Sequence, residues 1–139
     1  MSADQKSFAG GCLCGAIRYQ ARGAPWIMGH CYCSDCRKAS GSGFIPFLNF
    51  KAHELRFFGQ PRQHQCPAAR GGLATRNFCP VCGGLVFGGI VGDGAGHTIY
   101  AGSLDDPSLF KPSIAIFTRG RPEWAVIPEG LTVFERLPT

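Results

Sequence analysis

Long apolar runs are missing from this 139-residue chain, and with them the roughly 20 consecutive apolar residues that a membrane-crossing helix needs. No membrane partner is expected. The opening stretch, Met1-Ser2-Ala3-Asp4-Gln5-Lys6, is polar with no apolar core behind it, so no secretory leader is expected either. Charged residues are sparse at 17%, against 45% hydrophobic, a globular balance that excludes an intrinsically disordered chain. Basic runs are absent too. The fourteen Lys and Arg residues are scattered, from Lys6 and Arg18 through Arg76 to Arg136, without the patch that nucleic-acid binding uses. Linkers and low-complexity tracts are lacking, which predicts a single domain over residues 1–139. The missing membrane span and secretory leader make the cytoplasm, where thiols stay reduced, the expected location.

What the chain has instead is punctuation. Twenty glycines and ten prolines separate short apolar and aromatic runs, the pattern of a mainly β domain. Strands are expected at 16–21, 27–32, 44–50, 55–58, 73–78, 85–91, 98–101, 114–117 and 131–136. Ile17-Arg18-Tyr19 and Arg76-Asn77-Phe78 show the alternation of half-buried strands. Only 34–40 and 106–110 read as helical turns. Gly71-Gly72, Gly83-Gly84, Gly88-Gly89 and Gly92-Asp93-Gly94 supply turns or bulges.

The chain also has eight cysteines, seven of them in tight clusters. In a reducing compartment such clusters hold metal more readily than disulfides. Cys79-Pro80-Val81-Cys82-Gly83-Gly84 reads as a zinc knuckle: proline favours the first corner, and the glycine after the second cysteine permits positive φ. A knuckle supplies two of the four ligands a closed site needs, and Cys12-Leu13-Cys14-Gly15 is the natural partner. In an extended segment Cys12 and Cys14 project to one face, so both reach one metal. A redox reading of either pair lacks the strand-to-helix context of a thioredoxin-like motif. The expectation is one structural zinc on Cys12, Cys14, Cys79 and Cys82.

Gly29-His30-Cys31-Tyr32-Cys33-Ser34-Asp35-Cys36-Arg37-Lys38 carries the other three. Cys31 and Cys33 share a face, and a turn at Ser34-Asp35 returns Cys36 to them. Three protein ligands with a vacant fourth position is the arrangement of a catalytic zinc. Cys66, His30, His53, His64 and His97 are the residues that could close it; Cys66 is the foremost rival, its alternative being an unpaired thiol. Zinc with three thiolates carries a net −1, is a weak Lewis acid, and suits a sulfur ligand that it would hold as thiolate. Binding a thiolate takes the site to −2 and calls for nearby cations. Arg37 is the candidate to pair a substrate carboxylate, with Lys38 beside it; a solvated helical turn is the alternative for both. Metal also corrects the charge. Seven thiolates contribute −7 and two Zn²⁺ ions +4, which takes the formal +5 to +2.

The three clusters in this order resemble the glutathione-dependent formaldehyde-activating (Gfa-like) family, which includes a domain of a vertebrate centromere protein. The matching segments are Gly11-Cys12-Leu13-Cys14-Gly15-Ala16-Ile17-Arg18-Tyr19, then residues 30–44, then Arg76-Asn77-Phe78-Cys79-Pro80-Val81-Cys82-Gly83; Ala101-Gly102-Ser103-Leu104-Asp105 also fits. The resemblance implies a zinc-containing β-tent of short antiparallel strands with few helical turns. It implies structural zinc on Cys12, Cys14, Cys79 and Cys82, and a second zinc on Cys31, Cys33 and Cys36. It implies a carbon–sulfur lyase-type activity joining glutathione or a similar small thiol to an aldehyde such as formaldehyde. In that reaction Ser34, Ser40, Ser42 or a water would stabilise or protonate the new alkoxide. Two other roles stand beside it: a zinc-stabilised binding module without catalysis, and a thiol-responsive carrier whose second zinc is labile. The sequence leaves homo-oligomerisation open.

Overall fold

Alternation decides which side of each strand enters the core, and Ile17 and Tyr19 are both fully buried. The computed structural model of the protein describes residues 7–138; the polar opening stretch read above lies outside them. Its strands in chain order are β1 (Phe8–Gly11), β2 (Arg18–Ala21), β3 (Ile27–Cys31), β4 (Ile45–Lys51), β5 (Leu55–Phe58) and β6 (Arg62–Pro67). There follow β7 (Leu73–Phe78), β8 (Leu85–Ile90), β9 (Asp93–Tyr100), β10 (Ile114–Ile116) and β11 (Thr132–Val133). A small sheet runs β1-β2-β5, and a large one runs β11-β10-β3-β4-β9-β8-β7-β6. The pairings are antiparallel except at β10, which lies parallel to both β3 and β11.

The main core fills the space between the sheets. Phe8, Tyr19 and Leu55 of the small sheet meet Leu48, Phe50, Phe87 and Ile99 of the large one. Each fully buried aromatic or aliphatic side chain there contributes about 1.5–3 kcal/mol of transfer free energy. The period of two then dictates the far face of the large sheet. Phe47 and Asn49 on β4, Thr98 and Tyr100 on β9, Gly88 on β8 and Arg76 on β7 all line one cavity there.

The nine expected strands all form, with shorter or longer ends. Leu131–Arg136 keeps ladder pairing only at Thr132–Val133, while residues 134–136 accept hydrogen bonds from Phe117, Thr118 and Arg119. The 106–110 turn is a 3₁₀ turn at Pro107–Leu109, capped by the Asp106 side chain. Two strands escaped the sequence reading. In β1, Gly10 packs so tightly that a Cβ would lie 2.4 Å from the Tyr19 hydroxyl, which explains a strand written with glycine. In β6 nearly every residue is exposed, because an edge strand with no covering layer needs no apolar alternation.

The helix α1 (Ser34–Ser40) begins on a cysteine. Cys33 is its N-cap, with its sulfur accepting the Cys36 N–H at 3.2 Å. Gly41 at φ 67° ends it in the left-handed region that glycine tolerates.

Candidate metal centres and the adjoining cavity

Cys12, Cys14, Cys79 and Cys82 bring their sulfurs within 4.8 Å of one another. Cys14 stands 3.7 Å from both Cys12 and Cys79. Four sulfurs each about 2.3 Å from one ion would be separated by about 3.8 Å along a tetrahedral edge, so this set fits a metal ion. The backbone is arranged for anionic sulfur. N–H groups of Ile17, Val81, Cys82 and Gly84 point at Cys12, Cys79, Cys79 and Cys82, at 3.3 to 3.5 Å. Both turns close on a left-handed glycine, Gly15 at φ 85° and, as expected for the knuckle, Gly83 at φ 75°. The Cys12-Leu13-Cys14 segment is itself a turn, however, not the extended piece expected. Gly15 N–H donates to the Cys12 carbonyl and Cys12 N–H to that of Ile17, so two turns face each other across the sulfurs.

Cys31, Cys33 and Cys36 form the second set, again with sulfurs within 4.8 Å. β3 ends at Cys31, Cys33 is extended at φ −64°, ψ 156°, and the first turn of α1 returns Cys36. Among the described residues no fourth Cys, His, Asp or Glu ligand atom joins them. His30 lies off this face, stacked between Phe44 and Phe110 and bonded to the Tyr32 hydroxyl. His97 is buried against Phe57 and Phe87, with Nδ1 on the Gly88 carbonyl.

Crowding decides how these thiols ionise. Hydrogen bonds from Cys31 and then Cys36 hold the Cys33 thiol down at about 2. Donation to Cys33 pushes Cys31 far upward. The Cys31 contact favours ionised Cys36, but Cys33 and burial outweigh it and push that thiol up to about 12. Ionising one of the three adjacent sulfurs thus disfavours ionising the others, and a cation among them would favour loss of the remaining protons. In the four-cysteine set burial raises Cys12, but the Ile17 N–H and the neighbouring sulfurs bring it down to about 6.

A cavity of about 650 Å³ opens beside the second set, with Cys31, Cys33 and Cys36 in its wall. That is the size of small-molecule sites and far larger than a one-carbon aldehyde needs. The cations in its wall are Arg70 and Arg76, not Arg37, which follows Cys36 on α1 but does not line the cavity. Arg76 donates to the Cys66 sulfur at 3.5 Å and also reaches Cys36. Cys66 therefore serves as a partner of Arg76 rather than joining the metal set. Among the described residues, only Arg76 and Arg37 leave a buried side-chain polar atom unpaired, in each case Nε. Ser34, Ser40 and Ser42 do not line the cavity, and the Ser40 hydroxyl is spent on the Cys36 carbonyl. Arg76 was visible in the sequence as the first residue of an alternating strand segment. The signal was that this alternation places a cation on the face opposite buried Asn77.

Residues 7–120 match the family described as "Glutathione-dependent formaldehyde-activating enzyme". The chain belongs to this family. A Halomonas elongata protein provisionally named as such an enzyme is 36% identical over 78 residues. That match spans 52% of this chain and half the length of the relative. A crystal structure of a Rhodobacter sphaeroides protein superposes with a TM-score of 0.55 at 16% identity, over 91% of this chain and 98% of that one. The likeness extends the shared fold to nearly the whole chain. For this Gfa family member, both cysteine sets fall within the matched residues.

Proposed function

We propose that this Gfa family member binds zinc at both cysteine sets and uses the second to join a small carboxylate-bearing thiol, of the glutathione type, to a small aldehyde. The reaction is of the carbon–sulfur lyase class: RSH and R′CHO combine to RS–CH(OH)R′. One observation carries the reading. Three sulfurs with no fourth ligand among the described residues face a cavity of about 650 Å³ whose wall also carries a guanidinium with its charge acting on one of them. All-sulfur ligation selects zinc over harder cations, and a bound zinc would hold the incoming thiol as thiolate at neutral pH.

The chain's own residues supply the rest. Arg76 offsets the negative charge that a fourth sulfur adds, and its fixed fork is matched to sulfur and carboxylate acceptors. Arg70, on the turn between β6 and β7, stands at the same cavity as the second cation for a thiol's carboxylate. Ile45, Phe47 and Phe117 give the cavity an apolar wall, which limits competing water. The first set ties residue 12 to residue 82 and holds the domain together.

The test combines a metal count with hemithioacetal formation, followed with and without protein. The expected result is two zinc ions per chain and acceleration over the spontaneous reaction that Cys36→Ser removes. Two ions with no acceleration would leave the thiol-responsive carrier as the better reading.

A further inference from the structure

We propose that the Tyr100 hydroxyl is the catalytic hydrogen-bond donor to the aldehyde oxygen in the second site. The inference rests on the function proposed above and adds a residue to it.

The chain contains three tyrosines, and two have committed their hydroxyls. Tyr19 pairs with the Ser103 hydroxyl at 2.7 Å. Tyr32 donates to the Val126 carbonyl at 2.9 Å and meets His30 Nδ1. Tyr100 alone has no protein partner for its hydroxyl among the described residues, although its ring is half-buried. A phenol sheltered from solvent ordinarily finds a partner, so an uncommitted one in a cavity wall is a donor available to a ligand.

Its position follows from register. Tyr100 shares the cavity face of β9 with Thr98, and Phe47 pairs with it on β4. The hydroxyl reaches over β8 at Gly88, where a Cβ would lie only 3.1 Å from it. Gly88 is paired directly with Arg76 on β7. The phenol therefore ends beside the strand position that carries the guanidinium, and the charges of Arg76 and Cys36 act on it, followed by those of Arg70 and Cys31. A neutral O–H donor, a cation and the three sulfurs meet in one cavity. No serine among the described residues lines that cavity.

The chemistry asks for such a donor. As the thiolate sulfur forms a bond to the carbonyl carbon, the C=O π pair moves onto oxygen. The Tyr100 O–H hydrogen-bonds that oxygen as its charge grows, and its proton completes the hydroxyl of the product. Solvent restores the phenol proton, in place of the one the thiol released on binding. A donor aimed at developing charge commonly contributes tenfold or more.

The experiment uses the full zinc-loaded chain and its Tyr100→Phe and Gly88→Ala variants, with glutathione and ¹³C-formaldehyde as probes. Glutathione affinity comes from calorimetry, formaldehyde affinity and exchange in the thiol-saturated protein from NMR. A tyrosine difference spectrum is recorded on adding the aldehyde. Tyr100→Phe should bind glutathione like the wild type, hold the adduct about tenfold less tightly, exchange it more slowly, and lose the difference spectrum. Gly88→Ala keeps the hydroxyl but displaces it, so it should show a smaller loss of the same sign. Unchanged adduct affinity and spectrum in Tyr100→Phe would overturn the inference, as would an equal loss of glutathione binding, which marks a packing role. A wild type that binds no glutathione would instead overturn the function on which the inference rests.

Discussion

The two cysteine sets use the same ligand atom and differ in everything around it. The first is built from two facing turns, each closed by a left-handed glycine, with backbone N–H groups directed at its sulfurs. Its residues come from distant parts of the chain, so a metal there would tie residue 12 to residue 82 and add its binding free energy to that of the core. The second set comes from six consecutive residues, Cys31 to Cys36, and ties nothing distant together. It sits at the end of β3 with a cavity and a guanidinium beside it. The two sets thus differ in the sequence distance between ligands and in what faces the sulfurs, not in ligand chemistry.

Breaking each set should therefore give different failures. Cys79→Ser should cost about 3 kcal/mol or more and lower the melting temperature by about 10 °C or more, whereas Cys33→Ser should melt close to the wild type. Thermal denaturation followed by circular dichroism reads both, and equal losses would erase the distinction. Metal release should follow the same order. Titration with a thiol competitor, with zinc counted by elemental analysis, should empty one site well before the other, and in Cys36→Ser the labile fraction should be gone.

The next comparison is between two arginines. Arg76→Met should weaken binding of a carboxylate-bearing thiol by about tenfold, because the guanidinium beside Cys36 is lost, while Arg76→Lys keeps part of it. Arg37→Met should change affinity by less than about twofold, since that side chain lies outside the cavity wall. A larger effect at Arg37, read by calorimetry, would restore the assignment that the sequence alone suggested.

The smallest effect concerns the core side of β9. Burial holds the His97 imidazole below its ordinary value near 6.5, outweighing the Gly88 carbonyl, which raises it. The unfolded chain binds a proton near that ordinary value and the folded one only at lower pH. Stability from this group is therefore complete above about pH 6.5 and lost as pH falls below it towards the folded value. Metal release by thiol protonation acts in the same direction. Comparing wild type with His97→Gln by denaturant unfolding at pH 7.5 and 5.5 isolates the histidine part, which should make the wild type the more acid-sensitive of the two.

The sulfur sets were legible because their ligands come in tight groups: a C-x-C or C-x-x-C segment brings two sulfurs together within four residues, although Cys12 and Cys14 do so on a turn and not on the extended piece expected. Leu55–Phe58 was legible because burial on one face forces alternation, whereas in Leu73–Phe78 the fully buried residue is the polar Asn77 and Leu73 is exposed. The cavity wall was not. Arg76, Gly88, Thr98 and Asn49 lie in one row only because β7, β8, β9 and β4 pair in that register, with irregularities beside Phe78 and Ile90. No local pattern encodes a row that four strands assemble. Arg37 attracted the substrate role by adjacency to Cys36, although it lies outside the wall of the cavity that Arg76 lines from β7, with three strands between β7 and β3 in the sheet.

One sulfur remains with two duties. Cys33 stands in the second set and also caps α1 by accepting the Cys36 amide. Electron density drawn from that sulfur by a metal or returned by an incoming thiolate must change the strength of the bond that starts the helix. The Cys36 amide is therefore a gauge wired to the second sulfur set. Its NMR shift and solvent exchange would register each change of ligand at the sulfurs, with no label added to the chain.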